Sequence, residues 1–197
     1  MNRTITVAAG LLAAGLSYLV SPARAADDDK PAAPNAKQAV AIIHGAGANK
    51  DKIKGNVTFT QVSDGVKIVA DVDGLKPGKH GFHIHEKADL SKPDLSSAGG
   101  HFNPGHHKHG GPDEAEHHAG DLGNLEADEQ GHAHLEWVSK DLSIDDPKTG
   151  VIGHSAIIHE KEDDLKTDPS GNSGGRIAGG AIQLKSGTGR GAEGGSK

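Results

Sequence analysis

The sequence predicts an all-β domain, a single antiparallel barrel or sandwich that carries two long loops. Its 197 residues include 29 Gly and only 3% aromatic residues, a composition typical of turn-rich β-proteins rather than helical bundles. Short apolar or alternating segments recur along the chain. They are interrupted by two Gly-rich and charged stretches, 87–120 and 161–179. Loops this long within a compact domain are usually functional or disordered.

The first 25 residues have the pattern of a secretory signal. Arg3 supplies a positive start, residues 5–20 are apolar, and Ala23-Arg24-Ala25 forms an A-x-A cleavage site. The apolar run is shorter than the ~20 residues of a spanning helix. We therefore expect export to the periplasm or the extracellular space, with no membrane attachment after cleavage. Loss of Arg3 and Arg24, with no acidic residue, moves the formal charge from −6 to −8, which disfavours nucleic acid as a partner.

Three further segments complete the predicted organisation. Residues 26–37 mix Asp, Lys, Pro and Ala without periodicity and are expected to be a disordered linker. Residues 38–185 form the predicted barrel, and 186–197 form a flexible Gly/Ser tail. The chain has no cysteine, so disulfides and Cys-bound zinc are excluded, and any metal site must use His, Asp and Glu.

Each predicted strand has a local reason. Residues 56–62 and 65–73 flank Ser63-Asp64-Gly65, a good hairpin connection. The second arm alternates, with every other residue apolar, which marks a strand with one buried face. The other predicted strands are the apolar run 38–44 and the segments 79–86, 131–139, 154–160 and 180–184, with a further short strand at 121–125.

Two histidines on the strand 79–86 can face a common metal. Residues two apart on a strand point to the same side, so His83 and His85 project together while Phe82 and Ile84 face the core. An isolated His-x-His is more often a pair of solvated side chains. The pair at 132 and 134 is such a case, because no further His cluster follows it, and we interpret it as a surface pair.

The segment after His85 favours a metal site over a pair of solvated histidines, because it is rich in potential ligands. Imidazole and carboxylate groups on one loop can form a tetrahedral zinc set once the loop folds, and His159 could add a ligand near the first pair. The alternative is a loosely chelating His-rich loop. The candidates in this segment are His101, His106, His107, His109, His117, His118 and Asp121.

Several motifs resemble the Cu/Zn superoxide dismutase family, in the same order, over residues 38–185. They are Gly81-Phe82-His83-Ile84-His85-Glu86, His101-Phe102-Asn103-Pro104, Lys108-His109-Gly110-Gly111-Pro112, His118-Ala119-Gly120-Asp121-Leu122-Gly123-Asn124, His159-Glu160-Lys161 and Gly171-Asn172-Ser173-Gly174-Gly175-Arg176. The resemblance implies an eight-stranded Greek-key β-barrel, an immunoglobulin-like sandwich. It also implies conversion of superoxide to oxygen and hydrogen peroxide by Cu(II)/Cu(I) cycling, by an exported, bacterial-type member.

The resemblance also implies roles for individual residues. One copper ion and one zinc ion per chain share His101, and Asp163 links a copper histidine to a zinc histidine. Arg176 stands beside the open copper position, where superoxide docks. The implied copper ligands are His83, His85, His101 and His159; the implied zinc ligands are His101, His109, His118 and Asp121. The oligomeric state stays open, a homodimer included.

Two departures from the family pattern are visible. Leu95 and Gly179 occupy the positions of the family's disulfide, whose loss typically costs about 2–5 kcal/mol in small secreted domains. The segment from His159 to Arg176 is shorter than in common eukaryotic members, so steering of superoxide is expected to differ. A non-catalytic copper- or zinc-binding protein and a structural barrel with a chance His cluster are the rival interpretations.

Overall fold

Eight antiparallel strands close a barrel in the computed structural model, which describes residues 36–185. The strands are β1 Gln38–Gly45, β2 Lys54–Val62, β3 Gly65–Asp73, β4 Gly78–His85, β5 Asp121–Ala127, β6 Ala133–Ser139, β7 Ser155–His159 and β8 Arg176–Leu184. Their order around the barrel is β1-β2-β3-β6-β5-β4-β7-β8. The connections from β3 to β4 and from β6 to β7 pass between strands that are not neighbours, which gives the predicted Greek-key arrangement.

Most predicted strands are confirmed, and the hairpin between β2 and β3 matches its prediction. Val62 pairs with Gly65 across a two-residue turn at Ser63 and Asp64. The alternating residues of β3 all point into the barrel and are fully buried; they are Val66, Ile68, Ala70 and Val72. The apolar half of each alternating pattern therefore forms the barrel interior.

β8 begins earlier than the sequence predicts. The second loop was expected to span 161–179, but β8 starts at Arg176 and pairs with both β1 and β7. The loop between β7 and β8 therefore covers residues 160–175. Gly179 and Gly180 lie within this strand. A Cβ at Gly180 would overlap the carbonyl oxygen of Ile42 in β1, and one at Gly179 would crowd the side chain of Ile157 in β7.

Both faces of β4 are buried, although only one faces the barrel interior. Phe82 and Ile84 are fully buried in the barrel core. His83 and His85, on the opposite side, are 0% and 1% exposed. The loops 86–120 and 160–175 supply residues that bond to this outer face, including Gly99 and Asp163. The barrel thus provides a rigid wall against which the two loops enclose a polar site.

The remaining predicted segments lie largely outside the described residues. The signal at 1–25, all but the last two residues of the linker at 26–37, and the tail at 186–197 fall there. Within residues 36–185, no helix has the length and apolar character needed to cross a membrane.

Candidate metal centre

Two groups of buried side chains bring potential ligand atoms within 4.8 Å of one another, and the groups share His101. The first contains His83, His85, His101 and His159; the second contains His101, His109, His118 and Asp121. β4 supplies the first pair, the loop 86–120 supplies three histidines, and β5 and β7 supply the rest at their ends. All the residues that the sequence predicts as ligands are therefore brought together.

Strand irregularities help to aim two of these histidines. The register between β4 and β5 shifts between Gly81 and His83, and the register between β7 and β8 shifts between Ile158 and His159. Such bulges re-aim side chains and are frequent beside functional sites. The two shifts lie at His83 and His159, both members of the first group. The regular pairing of β4 with β5 and of β7 with β8 is interrupted at these residues, and their side chains turn towards the group.

Hydrogen bonds determine which ring nitrogen faces the centre of the first group. His85 Nδ1 lies 3.0 Å from the carbonyl of Gly99, and His159 Nδ1 lies 3.2 Å from the carbonyl of Gly174. Carbonyls only accept, so each Nδ1 carries the proton. The two Nε2 atoms then present lone pairs to each other at 3.3 Å. Two facing lone pairs repel, and a cation between them converts repulsion into coordination.

The shared histidine is bound on one side only. His101 Nδ1 lies 2.7 Å from Asp121 Oδ1 and 3.3 Å from His118 Nδ1. Its Nε2 is buried without a hydrogen-bond partner, and it belongs to the first group. Because buried polar atoms are nearly always satisfied, this unpaired nitrogen is itself an indication that a ligand belongs there.

Asp121 organises the second group. Its Oδ1 lies 3.1 Å from His118 Nδ1, and its Oδ2 accepts hydrogen bonds from the backbone of Gly110 and His118 at 3.2 and 2.9 Å. His109 Nδ1 is 3.1 Å from the same Oδ2, but in a direction that makes no hydrogen bond. A closed set of three imidazoles and one carboxylate matches a tetrahedral zinc site.

Asp163 links the two groups through their outer nitrogens. Its Oδ2 accepts a hydrogen bond from His83 Nε2 at 2.7 Å, and its Oδ1 accepts one from His109 Nε2 at 2.9 Å. Both histidines therefore direct towards their own group a buried Nδ1 that has no hydrogen-bond partner. A carboxylate in this position orients ligating rings and raises their basicity.

The pKa values of the first group favour neutral rings. Burial lowers the pKa of His101 to about 4 and that of His159 to about 3. Burial also lowers the pKa of His83, and that of His85 falls well below its usual range. Neutral imidazole is the form that binds metals, so the first group is ready for a cation at neutral pH.

His109 has the opposite balance because two carboxylates lie near it. Burial lowers the pKa of His109, but its contacts with the carboxylates of Asp121 and Asp163 outweigh burial and raise that pKa to about 10. Burial raises the pKa of Asp121, yet its histidine partners hold it well below its usual range. A proton or a metal ion at His109 Nδ1 would each neutralise these buried negative charges.

Arg176 stands at the side of the first group. Its two terminal nitrogens donate to the carbonyls of Leu95 and Gly99 at 2.7 and 2.6 Å, and Gly99 is also the partner of His85. The positive charge of Arg176 is one of the causes that lower the pKa of His85 and of His159. A guanidinium has five N–H donors, so this arrangement leaves donors available for an anion.

The other histidines lie outside both groups. His80 is buried and bonds the backbone of Lys76 and His159, a role within the barrel. The surface pair at 132 and 134 is exposed and contacts Asp73 and Asp71. Those in the loop 86–120 that stay outside the groups are His106, His107 and His117.

Sequence reasoning missed two residues that build the site. Asn124 holds the backbone of Asp163 from both sides, accepting from its N–H at 2.8 Å and donating to its carbonyl at 3.0 Å. Gly171, at φ 60°, leaves space that a Cβ would take from Asp163 Oδ1 and His109 Nε2. Both lie in motifs that the sequence displays, but only the fold reveals what they contact.

With this geometry in place, the chain can be compared with known proteins. The family model for copper/zinc superoxide dismutase matches residues 53–182. The chain belongs to the copper/zinc superoxide dismutase family. A curated relative, the extracellular superoxide dismutase [Cu-Zn] of Drosophila melanogaster, is 45% identical over 157 residues, which cover 75% of this chain and 86% of the relative.

The chain is also similar to proteins whose names state other roles. The copper chaperone for superoxide dismutase of Rattus norvegicus is 41% identical over 160 residues, covering 78% of this chain and 55% of the chaperone. The crystal structure of the clock protein EA4 superposes with a TM-score of 0.69 at 40% identity, covering 79% of this chain and 99% of that one. The shared fold thus extends over nearly all of the described barrel.

Proposed function

We propose that this chain is a superoxide dismutase that converts superoxide to oxygen and hydrogen peroxide. In this proposal one metal site is for copper and the other is for zinc. The copper ligands are His83, His85, His101 and His159. The zinc ligands are His101, His109, His118 and Asp121. Family membership supports the reaction, and the two adjacent ligand groups support the pair of metals.

One observation carries the proposal: the ring nitrogens of the first group point towards one another, and none of them has a hydrogen-bond donor as its partner. His85 and His159 present Nε2 atoms to each other, and Nδ1 of His83 and Nε2 of His101 are buried and unpaired. An all-imidazole set suits copper, and a set that includes a carboxylate suits zinc. The residues therefore fit the metals that the family name states.

Bound copper supplies a one-electron couple that oxidises one superoxide and reduces the next. His101 has the proton-handling role, because its Nε2 faces the copper group while its Nδ1 is held on the Asp121 side. A proton taken up at Nε2 can be given to reduced oxygen, and water supplies the second proton that hydrogen peroxide needs. Asp163 keeps the rings of His83 and His109 in place throughout.

Arg176 is proposed to dock superoxide. Two backbone carbonyls hold its guanidinium rigidly beside His85, and its remaining donors can bind a small anion. A local positive field also concentrates anions on a protein whose formal net charge is −6. This docking is independent of the metal ligands, so it can be removed without emptying the site.

We also propose that the protein works after export, in the periplasm or outside the cell. The pattern over residues 1–25 supports this, as do extracellular relatives in Drosophila melanogaster and Caenorhabditis elegans. Superoxide is the only partner that this function needs, and nucleic acid and membrane have no role in it. A homodimer is compatible with the function but is not required by it.

The rival function is copper carriage without turnover, because a copper chaperone is among the relatives. The complete first ligand group and the ordered Arg176 favour the enzyme, since storage or delivery of copper needs no anion-docking arginine. This chain also spans only 55% of the chaperone. A carrier would bind copper and leave superoxide unconsumed.

The test is superoxide consumption by protein with defined metal content. Protein loaded with one copper and one zinc per chain should consume superoxide, lose this activity on chelation and regain it when copper is restored. His159→Ala should abolish the activity while the circular dichroism spectrum stays that of a folded barrel. His134→Ala, at an exposed histidine, is the matched control and should keep full activity. Copper-loaded protein without activity would sink the proposal.

A further inference from the structure

We propose that Leu95 is a positioning residue for Arg176, acting as a non-covalent anchor for the segment 95–99. This segment is the part of the loop 86–120 that holds the guanidinium. The proposal rests on the proposed function, because Arg176 matters only where an anion must dock. It concerns a part of the molecule that no metal ligand occupies.

The side chain of Leu95 is buried in a small apolar cluster of its own. Leu95 is 7% exposed and packs with Ala46, Ala98 and Ile157, outside the main barrel core. The partly buried Leu90 packs against the same cluster. A loop residue thereby fastens the loop to β7, because Ile157 lies within that strand.

Gly179 of β8 provides the space for this contact. A Cβ at Gly179 would lie 2.6 Å from Cδ1 of Ile157 and 3.3 Å from Cδ1 of Leu95. Gly179 pairs with Ile157 between β7 and β8. Leu95 therefore lies over the glycine and closes the outer surface of the two strands, at the two positions where the family pattern has its disulfide.

The backbone of Leu95 also indicates that the surroundings hold it in place. Its φ of 58° is in the left-handed region, which non-glycine residues adopt only at an energetic cost. Its N–H donates to the carbonyl of Lys92 at 2.9 Å, and its own carbonyl accepts from Ala98 at 3.1 Å. Packing of the side chain is thus coupled to a defined direction of the Leu95 carbonyl.

That carbonyl and the one at Gly99 determine the position of Arg176. They accept from its two terminal nitrogens at 2.7 and 2.6 Å. The Gly99 carbonyl also accepts from His85 Nδ1 at 3.0 Å. Only the short 3₁₀ turn Ser96–Ala98 separates the two carbonyls. If the segment moves, the guanidinium loses both of its partners and His85 loses one, so we expect superoxide capture to fall more than copper binding.

The experiment measures the rate constant for superoxide consumption in Leu95→Ala with full copper and zinc content. We expect roughly a tenfold decrease, less than the ~100-fold that a 1 Å misplacement can cause, together with weaker dependence on ionic strength. Leu95→Met should restore most of the rate. Leu90→Ala is the matched control, since it trims the same cluster without touching a carbonyl that holds Arg176, and it should stay near the wild-type rate.

A double-mutant cycle separates positioning from general support of the fold. Leu95→Ala should add little to the loss already caused by Arg176→Gln, because both remove the same docking group. The proposal would be overturned if the rate losses of Leu95→Ala and Arg176→Gln multiplied in the double variant. An unchanged rate in Leu95→Ala would also overturn it. Leu95→Val serves the same cycle if the alanine variant does not fold.

Hydrogen exchange provides an arm that does not depend on turnover. The amides of Ala98 and Gly99 should exchange faster in Leu95→Ala than in Leu90→Ala, and equal exchange would remove the anchoring role. If the wild-type protein consumes no superoxide, the proposed function fails, while this arm still decides whether Leu95 anchors the segment.

Discussion

The location of one proton on each imidazole decides what His85 and His159 can bind. Each ring donates a hydrogen bond from Nδ1 to a backbone carbonyl and keeps a lone pair on Nε2. The carbonyls come from Gly99 and Gly174, which are far apart in the sequence. Local pattern could therefore indicate that the histidines are ligands, but the nitrogen that each one offers depends on loops folded over the barrel.

Burial separates the proposed ligands from neighbouring histidines that have the same side-chain chemistry. His109 and His118 are 4% and 6% exposed and lie in the second group. His106 and His107 are exposed, and His117 contacts Asp141 outside the group. The family pattern favoured His109 and His118 as zinc ligands because of their spacing from neighbouring motif residues. Side-chain type alone could not decide which of the five histidines are ligands, because that depends on where the loop turns.

Gly171 offers a prediction at the scale of a single atom. In Gly171→Ala the new methyl would overlap Asp163 Oδ1 and approach His109 Nε2. We expect the hydrogen bond between these residues to break and zinc affinity to fall by about 10- to 100-fold, as for other partners of ligating histidines. Competition for zinc with a chromophoric chelator measures this affinity.

The control for Gly171→Ala separates the clash from backbone strain. Gly47 has a similar φ of 53° but no atom within 4 Å of its would-be Cβ. Gly47→Ala therefore carries comparable strain, about 1 kcal/mol, and should leave zinc affinity unchanged. Equal zinc affinity in the two variants would contradict the role assigned to Gly171.

Among the structural elements, strands were easier to predict than loops. β3 matches its predicted bounds because its alternation reflects one buried face and one partly buried face. The start of β8 was wrong, because Arg176 and the glycines near it resemble a loop locally. Their pairing depends on the close approach of β1 and β7, a tertiary constraint that no local pattern carries.

The loop 160–175 acts through Asp163, and this leads to a second prediction. Asp163→Asn keeps the size of the side chain but replaces one acceptor oxygen with a donor, so one of His83 and His109 loses its partner. We expect weaker zinc binding, by about tenfold or more, with the barrel intact. Metal content after dialysis against a chelator, followed by circular dichroism, checks both parts.

Asp164 supplies the control within the same loop. It is exposed and bonds Thr167 and Asn172 rather than a member of the metal groups. Asp164→Asn should loosen the loop without removing the link between the histidines. If it lowers zinc retention as much as Asp163→Asn does, the loop as a whole, rather than the carboxylate of Asp163, would be responsible.

For the whole molecule, buried histidines make the stability of the metal-free protein depend on pH. Burial holds the pKa of His101 and His159 at about 4 and 3, against 6.5 when exposed, and that of His85 is lowered in the same direction. Between about pH 6.5 and 4 the unfolded chain therefore binds more protons, so stability falls with acid. His109, with its raised pKa, is protonated in the folded protein throughout this range, and its opposite effect is confined to the upper end, where the unfolded ring is still titrating.

Calorimetry of chelator-treated protein tests this dependence. The melting temperature should decrease steadily as the pH is lowered from 6.5 to 4, and His159→Gln should make the decrease shallower. His134→Ala, at an exposed histidine, should keep the wild-type slope. A melting temperature that is constant or rises towards pH 4 would contradict the assignment of neutral, buried rings.

The proposed function requires that one barrel binds two different ions that share His101 as a ligand. Anomalous diffraction from crystals loaded with copper and zinc, recorded at both absorption edges, tests it most directly. We expect a copper peak within bonding distance of four nitrogens: Nδ1 of His83 and Nε2 of His85, His101 and His159. We also expect a separate zinc peak on the Nδ1 side of His101. A single peak, or a copper peak outside the first group, would contradict the proposed function.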